Sequence, residues 1–234
     1  MGIVNTKTKQ KTIQNEVSLT GVGLHTGKNV TLTFKPATAN SGLAFKRVDL
    51  EGEPVIEADA NYVTNTQRGT CLEKNGVTIQ TSEHVLAALV GMDVDNAILE
   101  LNESEPPIMD GSSKFFVEAI EKAGITELDA YREEFVVTDI VSYTDEESGS
   151  EILVMPSKEY QITTMVDFGT KVLGTQNATL NQISDFKKDI ANSRTFSFLH
   201  EIEMLLEHGL IKGGDLNNAI VYVDKALSPE TMEK

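Results

Sequence analysis

Tryptophan is absent from this 234-residue sequence, and cysteine occurs once, as Cys71. One cysteine cannot form an internal disulfide, and no apolar run approaches the roughly 20 residues that span a bilayer. The first ten residues, MGIVNTKTKQ, are polar and basic, without the apolar stretch of a secretory signal. These absences argue against a disulfide-stapled, secreted or membrane-spanning chain and predict a cytoplasmic protein.

Positive charge is also scarce, because 20 Lys and Arg stand against 36 Asp and Glu, a net charge of -16. Such a chain repels the phosphate backbone, so no nucleic-acid partner is expected. A small anionic ligand stays compatible, since it needs only a local basic residue or a row of backbone N–H groups. The hydrophobic content of 40% is that of an ordinary globular protein.

The first part of the chain predicts strands followed by helices. Alternating and β-branched residues predict strands at residues 17–24, 29–34 and 43–48, and GVGLHTGKN reads as a hairpin connection with glycines at positive φ. LEKNGVTI carries an Asn-Gly hairpin signal. A helix is predicted after Thr81 or Ser82, whose hydroxyls suit a cap, and another over residues 114–123, capped by Ser112 or Ser113 and ended by Gly124.

The same order then repeats. Strands are predicted at residues 134–143, 151–154, 161–166 and 218–223, and helices at residues 182–192 and 198–208. The acidic, polar stretch 126–134 is the natural boundary between the halves. The sequence therefore predicts an α+β protein with two domains, residues 1–128 and 129–234, each with a sheet layer and a pair of helices.

Among the polar residues, the adjacent pair Glu83 and His84 stands out. Both fall in the first turn of a predicted helix, and at about 100° per residue His84 points away from the stripe of Val85, Leu86 and Leu89. Free N–H groups at a helix start favour a negative charge or a ligand. Two interpretations stay open from the residues alone: part of a reactive site, or a capping carboxylate beside a solvated imidazole.

The remaining candidates have simpler explanations. His25 lies in a glycine-rich turn, where histidines are usually exposed. His200 and His208 share a predicted helix with several glutamates, which indicates a charged outer face, and their spacing of eight does not suit a helical zinc pair. Cys71, on a predicted strand, reads as a small buried hydrophobe. The sequence contains no HExxH, CxxC, P-loop, GxSxG or GxGxxG motif.

Four segments read in order resemble one family. GVGLHTGKNVTLTFKPA, TSEHVLAALVGMDVDNAILELN, PPIMDGSS and SRTFSFLHEIEMLLEHGLIKGG are similar to successive signatures of the UDP-3-O-acyl-N-acetylglucosamine deacetylases of lipid A synthesis. The resemblance covers nearly the whole chain. It implies two α+β domains of similar topology with their helices sandwiched between the sheets, and a UDP-linked acylated N-acetylglucosamine as substrate.

The resemblance also implies roles for single residues. His84 would be a zinc ligand, Glu83 the general base, Thr195 a holder of the oxyanion and Phe196 a residue of the substrate cleft. These roles suit the chemistry, because zinc lowers the pKa of a bound water to about 7 and a carboxylate can take its proton. The family's apolar acyl passage would be lined by Leu24, Leu199, Ile202, Ile211, Leu216 and Val221, although these side chains could equally pack a helix on a sheet. Asp167 and Phe168 match the region near the nucleotide base.

The sequence departs from this family in one respect. The His-Lys-x-x-Asp motif that supplies further zinc ligands is missing, as is a later histidine that acts as general acid. The chain as given is therefore expected to bind zinc weakly and to turn over poorly. We expect the missing residues beyond Lys234, where some family members carry a fused 3-hydroxyacyl-carrier-protein dehydratase.

Two other functions compete with the hydrolase. The chain could be a non-catalytic module that binds a nucleotide-sugar or lipid, or a protein-interaction scaffold with an acidic working surface.

Overall fold

The computed structural model describes residues 2–224. Strands and helices of the first part are β1 (Gly2–Ile13), β2 (Val17–Val22), β3 (Asn29–Pro36), β4 (Leu43–Arg47), β5 (Val55–Glu57), a 3-10 turn (Ala60–Tyr62), β6 (Val63–Asn65), β7 (Cys71–Lys74), β8 (Val77–Ile79), α1 (Glu83–Gly91), β9 (Ala97–Leu101) and α2 (Lys114–Ala123). Those of the second part are β10 (Ile125–Val136), β11 (Val141–Thr144), β12 (Glu151–Val154), β13 (Ile162–Asp167), β14 (Thr175–Leu180), a 3-10 turn (Ile183–Asp185), α3 (Phe186–Asp189), β15 (Phe196–Phe198), α4 (Leu199–Glu207) and β16 (Ile220–Tyr222). Strands in runs with few helices bear out the α+β class.

A five-stranded sheet with the order β2-β3-β9-β4-β5 forms the centre of the first part. β9 runs antiparallel to β3 and parallel to β4. Alternate residues of β3 and β9 are buried, and with α1 and α2 they form one apolar core. Its largest fully buried members include Phe34, Phe45, Leu99, Phe116 and Ile120.

The predicted hairpins of the first part are confirmed, with a change of reason at the glycines. β2 and β3 pair antiparallel across GVGLHTGKN, where Gly27 has φ +68° but Gly21 and Gly23 do not lie at positive φ. Gly23 is required by close approach instead, since a Cβ there would lie 2.4 Å from Thr26 Oγ1. Asn75 and Gly76 both have positive φ between β7 and β8, as an Asn-Gly hairpin turn requires.

Several boundaries in the second part were predicted wrongly. The strand expected at residues 134–143 is interrupted, because β10 ends at Val136 and β11 begins at Val141. The helix expected at residues 182–192 is a 3-10 turn followed by the four-residue α3, and β14 had not been predicted. β14 was missed because its sequence, TQNATL, lacks the apolar alternation that marks a half-buried strand.

The polar N-terminal residues form β1, which pairs antiparallel with β10 over Gly2–Ile13 and Ile125–Val136. The stretch 126–134, interpreted as a boundary, is therefore part of a long strand that contacts the start of the chain. The second part otherwise consists of the hairpins β11–β12 and β13–β14 and the parallel pair β15–β16. Within the described residues, no helix has the length and apolar character needed to cross a membrane.

Candidate active site

Glu83 and His84 begin α1, as the sequence predicted. The Thr70 N–H donates to Glu83 Oε2 at 2.8 Å, and Glu83 Oε1 lies 3.8 Å from His84 Nε2. The His84 side chain is only 19% exposed, so its imidazole is not a solvated one. The predicted hydroxyl cap is wrong, because Ser82 donates to Thr70 O and Thr81 donates to Glu105.

Burial lowers the pKa of the His84 imidazole from its ordinary value, and the Glu83 and Asp110 carboxylates oppose that shift. A lowered pKa keeps the ring neutral near pH 7, the state in which a ring nitrogen can accept a proton or bind a metal. No sequence pattern pointed to Asp110. Its position in the PPIMDGSS loop was visible, but its proximity to His84 depends on tertiary structure.

This loop also brings Thr195 towards the same place. Ser113 Oγ donates to the His84 carbonyl at 2.9 Å, and the Thr195 N–H donates to the Gly111 carbonyl at 2.7 Å. Gly111 has φ +83°, and a Cβ there would lie 2.0 Å from the Asn218 carbonyl oxygen. Glycine is therefore required where the second part of the chain lies on this loop. Ser112 donates to Asp110 Oδ1 and accepts from the Lys114 N–H, whereas Ser113, at the N-cap position of α2, makes no side-chain cap hydrogen bond. Of the two hydroxyls predicted to cap α2, only that of Ser112 therefore bonds an N–H of its first turn.

Phe196 and Phe168 belong to one aromatic cluster. Their rings meet edge to face at 5.3 Å, and Phe196 meets Tyr222 at 5.5 Å, because β15 and β16 pair in parallel. Phe198 packs against the same rings. Asp167 is exposed and accepts a hydrogen bond from the Gly169 N–H. No local pattern predicts that Phe198 and Tyr222 lie next to the residues expected near the nucleotide base.

Leu24 and His25 connect the first part of the chain to residues 198–221, the segment that carries most of the predicted passage residues and is here called the insert. Leu24 is buried, and its carbonyl accepts from the Gly213 N–H at 3.0 Å. The exposed turn expected for His25 is wrong: the residue is buried, its Nδ1 accepts from the Ile211 N–H, and its Nε2 lies 3.2 Å from Arg68 O. The ring thus fills the space between two segments that are distant in sequence.

A bidentate ion pair also joins the first part of the chain to α4. Arg68 Nη2 and Nη1 donate to Glu201 Oε1 and Oε2 at 2.6 and 3.2 Å. The hydrogen bonds from Arg68 lower the pKa of the Glu201 carboxyl. No motif pointed to this pair, because its members lie 133 residues apart.

The other predicted passage residues differ in exposure. Leu199, Ile202, Ile211 and Val221 are half-buried, whereas Leu216 is 76% exposed. A cavity of about 400 Å³ lies nearby, bordered by Val22, Phe115, the loop residues 108–110 and part of the segment 213–218. Those four half-buried side chains do not line it.

Sequence comparison assigns the family. The sequence model described as UDP-3-O-acyl N-acetylglycosamine deacetylase, LpxC, matches residues 10–233. The chain belongs to this family. It is 44% identical over 226 residues to a bifunctional enzyme LpxC/FabZ of Bacteroides thetaiotaomicron, covering 97% of this chain and 49% of that protein. The corresponding enzyme of Porphyromonas gingivalis is 43% identical over 225 residues, covering 96% and 49%.

A relative named UDP-3-O-acyl-N-acetylglucosamine deacetylase, from Geobacter sp. strain M21, is 40% identical over 223 residues, covering 94% of this chain and 72% of that protein. The chain spans about half the length of the two bifunctional relatives.

The resemblance to this family implies a zinc ion. The described residues alone do not form a complete zinc site. Among residues 2–224, no group of three or more His, Cys, Asp or Glu side chains is placed to share a metal. His200 pairs with Asp224 and His208 Nδ1 lies 2.7 Å from Met204 O, both on the exposed face that was predicted. Burial and the Glu83 charge raise the pKa of the Cys71 thiol, which disfavours the thiolate that binds metals.

Proposed function

We propose that this chain provides the Glu83–His84 part of an enzyme that hydrolyses the N-acetyl group of UDP-3-O-acyl-N-acetylglucosamine, releasing acetate, in lipid A biosynthesis. Membership of the LpxC family, together with relatives named as deacetylases, supports the reaction. The observation that carries the proposal is the arrangement of Glu83 and His84 at the start of α1, half-buried and 3.8 Å apart.

Glu83 is the proposed general base. The Thr70 N–H holds one carboxylate oxygen, which leaves Oε1 to take the proton of a water that attacks the amide carbonyl. The Thr195 hydroxyl is proposed to stabilise the oxyanion, since its backbone is held by the loop that contacts His84.

The proposed substrate contacts divide between two surfaces. The aromatic cluster offers Phe168 and Phe196 to the nucleotide and sugar, with Asp167 beside them. The acyl chain is proposed to lie along Leu24 and along the insert that contacts it. The proposed contacts on the insert are Leu199, Ile202, Ile211, Leu216 and Val221. The Gly213–Leu24 hydrogen bond supports this juxtaposition.

In the complete polypeptide, His84 is proposed to be one ligand of a zinc ion. His84 alone does not make a catalytic site, so we propose that further ligands lie outside residues 2–224 and that the 234-residue chain is inactive by itself. Two domains, residues 1–128 and 129–234, with helices between the sheets, a cytoplasmic setting and a fused dehydratase complete the proposal. β10 runs through that division and would join the two domains. The names of the bifunctional relatives agree with such a fusion.

The test is a deacetylase assay and metal analysis on the polypeptide extended to the length of its relatives. Glu83→Ala is expected to lower kcat about 10²- to 10⁴-fold with little change in melting temperature, as removal of a general base does. Glu118→Ala, an exposed glutamate on α2, is the matched control. Turnover near normal in Glu83→Ala would remove Glu83 from the mechanism.

A binding module is the second candidate, for which the aromatic cluster that includes Phe168 and Phe196 offers a surface for a nucleotide base. In that case the extended protein shows no deacetylase activity, yet the UDP-sugar raises its melting temperature because the ligand stabilises the state that it binds.

A further inference from the structure

We propose that Glu105 is a positioning residue that holds the turn before Glu83–His84 in register with residues 23–26, here called the GLHT loop. It touches neither the predicted base nor the predicted ligand. The kinetic part of this inference rests on the proposed function, whereas the structural part does not.

The Glu105 side chain is fully buried. Oε1 accepts from the Thr81 hydroxyl at 2.8 Å and from the His25 N–H at 3.0 Å, and Oε2 accepts from the Thr26 N–H at 2.9 Å. Burying a carboxylate is unfavourable unless donors replace its water, and hydrogen bonds to an ionised acceptor are strong. The donors come from two separate segments, so one carboxylate joins them.

One of these segments is strained. Thr81 is β-branched and has φ +51°, a conformation that such residues rarely adopt. It lies two residues before Glu83, so its backbone direction decides where α1 begins. The Thr81–Glu105 hydrogen bond and a backbone bond from the Gln80 N–H to the Ser104 carbonyl hold this conformation. Strained backbone of this kind persists where surrounding contacts over-determine it, often at functional sites.

The other segment reaches the predicted acyl passage. A Cβ on Gly23 would lie 2.6 Å from Glu105 Oε2, so the GLHT loop can approach the carboxylate only with glycine there. The same loop contacts the insert through the Gly213–Leu24 and Ile211–His25 hydrogen bonds. Glu105 therefore connects the turn that carries Glu83 to the loop that contacts the insert.

This connection has a consequence for catalysis. An acylated substrate must place its amide at Glu83 while its chain lies along Leu24, and a misplacement of about 1 Å can reduce rate about 10²-fold. A rigid link between the two segments fixes their separation before substrate binds.

Hydrogen exchange on the 234-residue chain tests the link without any activity. Glu105→Gln keeps the shape but replaces one acceptor oxygen with a donor that faces N–H groups. We expect amide exchange at least about 10-fold faster at His25 and Thr26. The same increase is expected at Leu86, whose N–H donates a hydrogen bond to the Ser82 carbonyl in the first turn of α1. Amides of β3 and β9 keep their protection.

Glu103→Gln is the matched control, because Glu103 lies in the same segment, is 25% exposed and pairs with Lys28. Unchanged exchange in Glu105→Gln, or faster exchange in the GLHT loop alone with α1 unaffected, overturns the proposal. If Glu105→Gln does not fold, Thr81→Val carries the same test, since it removes the hydroxyl and keeps the branched shape.

Kinetics on the extended polypeptide test the consequence. Glu105→Gln is expected to lower kcat about 10²-fold. Leu99→Ala, a core variant in β9 whose side chain forms no hydrogen bond to the link, is expected to keep its kcat below its melting temperature. Equal losses in both variants would reduce Glu105 to a general stability role. If wild-type protein shows no deacetylase activity, the proposed function fails, and the exchange result still decides the link.

Discussion

β3 and β9 of the first part of the chain bury every second residue, whereas β11, β12 and β13 of the second part expose all of theirs. Leu99 in β9 is fully buried, but Tyr143, Ile152 and Met165 are 65%, 62% and 75% exposed. Both regions contain β-branched and aromatic residues and both form regular hairpins. Hairpin pairing is therefore local, while burial requires a second layer, which α1 and α2 supply only to the first region.

Contacts between the two regions determine the candidate site. Among the described residues after 125, Leu180, Phe186 and Ala191 are buried members of the core cluster. The β1–β10 pairing also joins the two regions, and the contacts around the candidate site include the Arg68–Glu201 ion pair, the Thr195–Gly111 hydrogen bond and the contacts of Leu24 and His25. The predicted base and ligand thus stand on the packed region, and the predicted substrate contacts on the less packed one.

The largest expected difference between the regions concerns core side chains. Leu99→Ala should lower the free energy of unfolding by about 2–5 kcal/mol, because it leaves a cavity in a packed core. Ile152→Ala should change it by no more than about 0.5 kcal/mol, as exposed positions do. Urea unfolding of both variants checks this. Comparable losses would show that β11 and β12 are covered in solution.

A smaller effect is expected where the second region packs on α1. A Cβ on Gly91 would lie 2.0 Å from Phe186 Cδ1, so Gly91→Ala should overpack this contact and cost about 1–3 kcal/mol. Val90→Ala on the exposed side of the same helix is the control. A double mutant with Phe186→Leu should recover part of the loss, and strict additivity in thermal unfolding would argue against the contact.

The smallest expected change in stability concerns Asp93, which follows α1 and forms ion pairs with residues of β1 and β10. Asp93 accepts from Lys11 and Arg132, which lower the pKa of its carboxyl below the ordinary 3.8 although burial opposes them. Its stabilising contribution is therefore present above pH 3.8 and is lost as pH falls through the lower folded-state pKa. Asp93→Asn should cost about 1 kcal/mol at neutral pH, a value discounted for partial exposure.

Asn also tolerates the φ of +62° at this position, so the substitution tests charge rather than backbone. Urea unfolding at about pH 7 and about pH 3 should show the difference from wild type narrowing at the lower pH. The carboxylate of Asp129 pairs with Lys9 while fully exposed, so Asp129→Asn should show no such pH-dependent difference from wild type. A pH-independent loss at Asp93 would contradict the assigned role of the charge.

Much of the first region could be predicted, since β3 and β9 alternate and Gly124 ends α2, although the hydroxyl cap expected for α1 is absent. The GLHT loop hairpin, the Asn75–Gly76 turn, α1 with Glu83 and His84, and the Gly124 end of α2 all follow from local patterns. The second region was harder, because exposed strands such as β14 need no apolar alternation. β1 was missed for the same reason: its polar residues form a strand because β10 pairs with them.

The sequence by itself determined the α+β class, the family and the pair of residues that begins α1, because these depend on periodicity and on motifs read along the chain. Only the tertiary structure revealed the buried Glu105, the buried His25, the Asp110 carboxylate near His84 and the Arg68–Glu201 pair. Each of these depends on segments that are distant in sequence and adjacent in space, and no local pattern encodes which partner a polar side chain will meet.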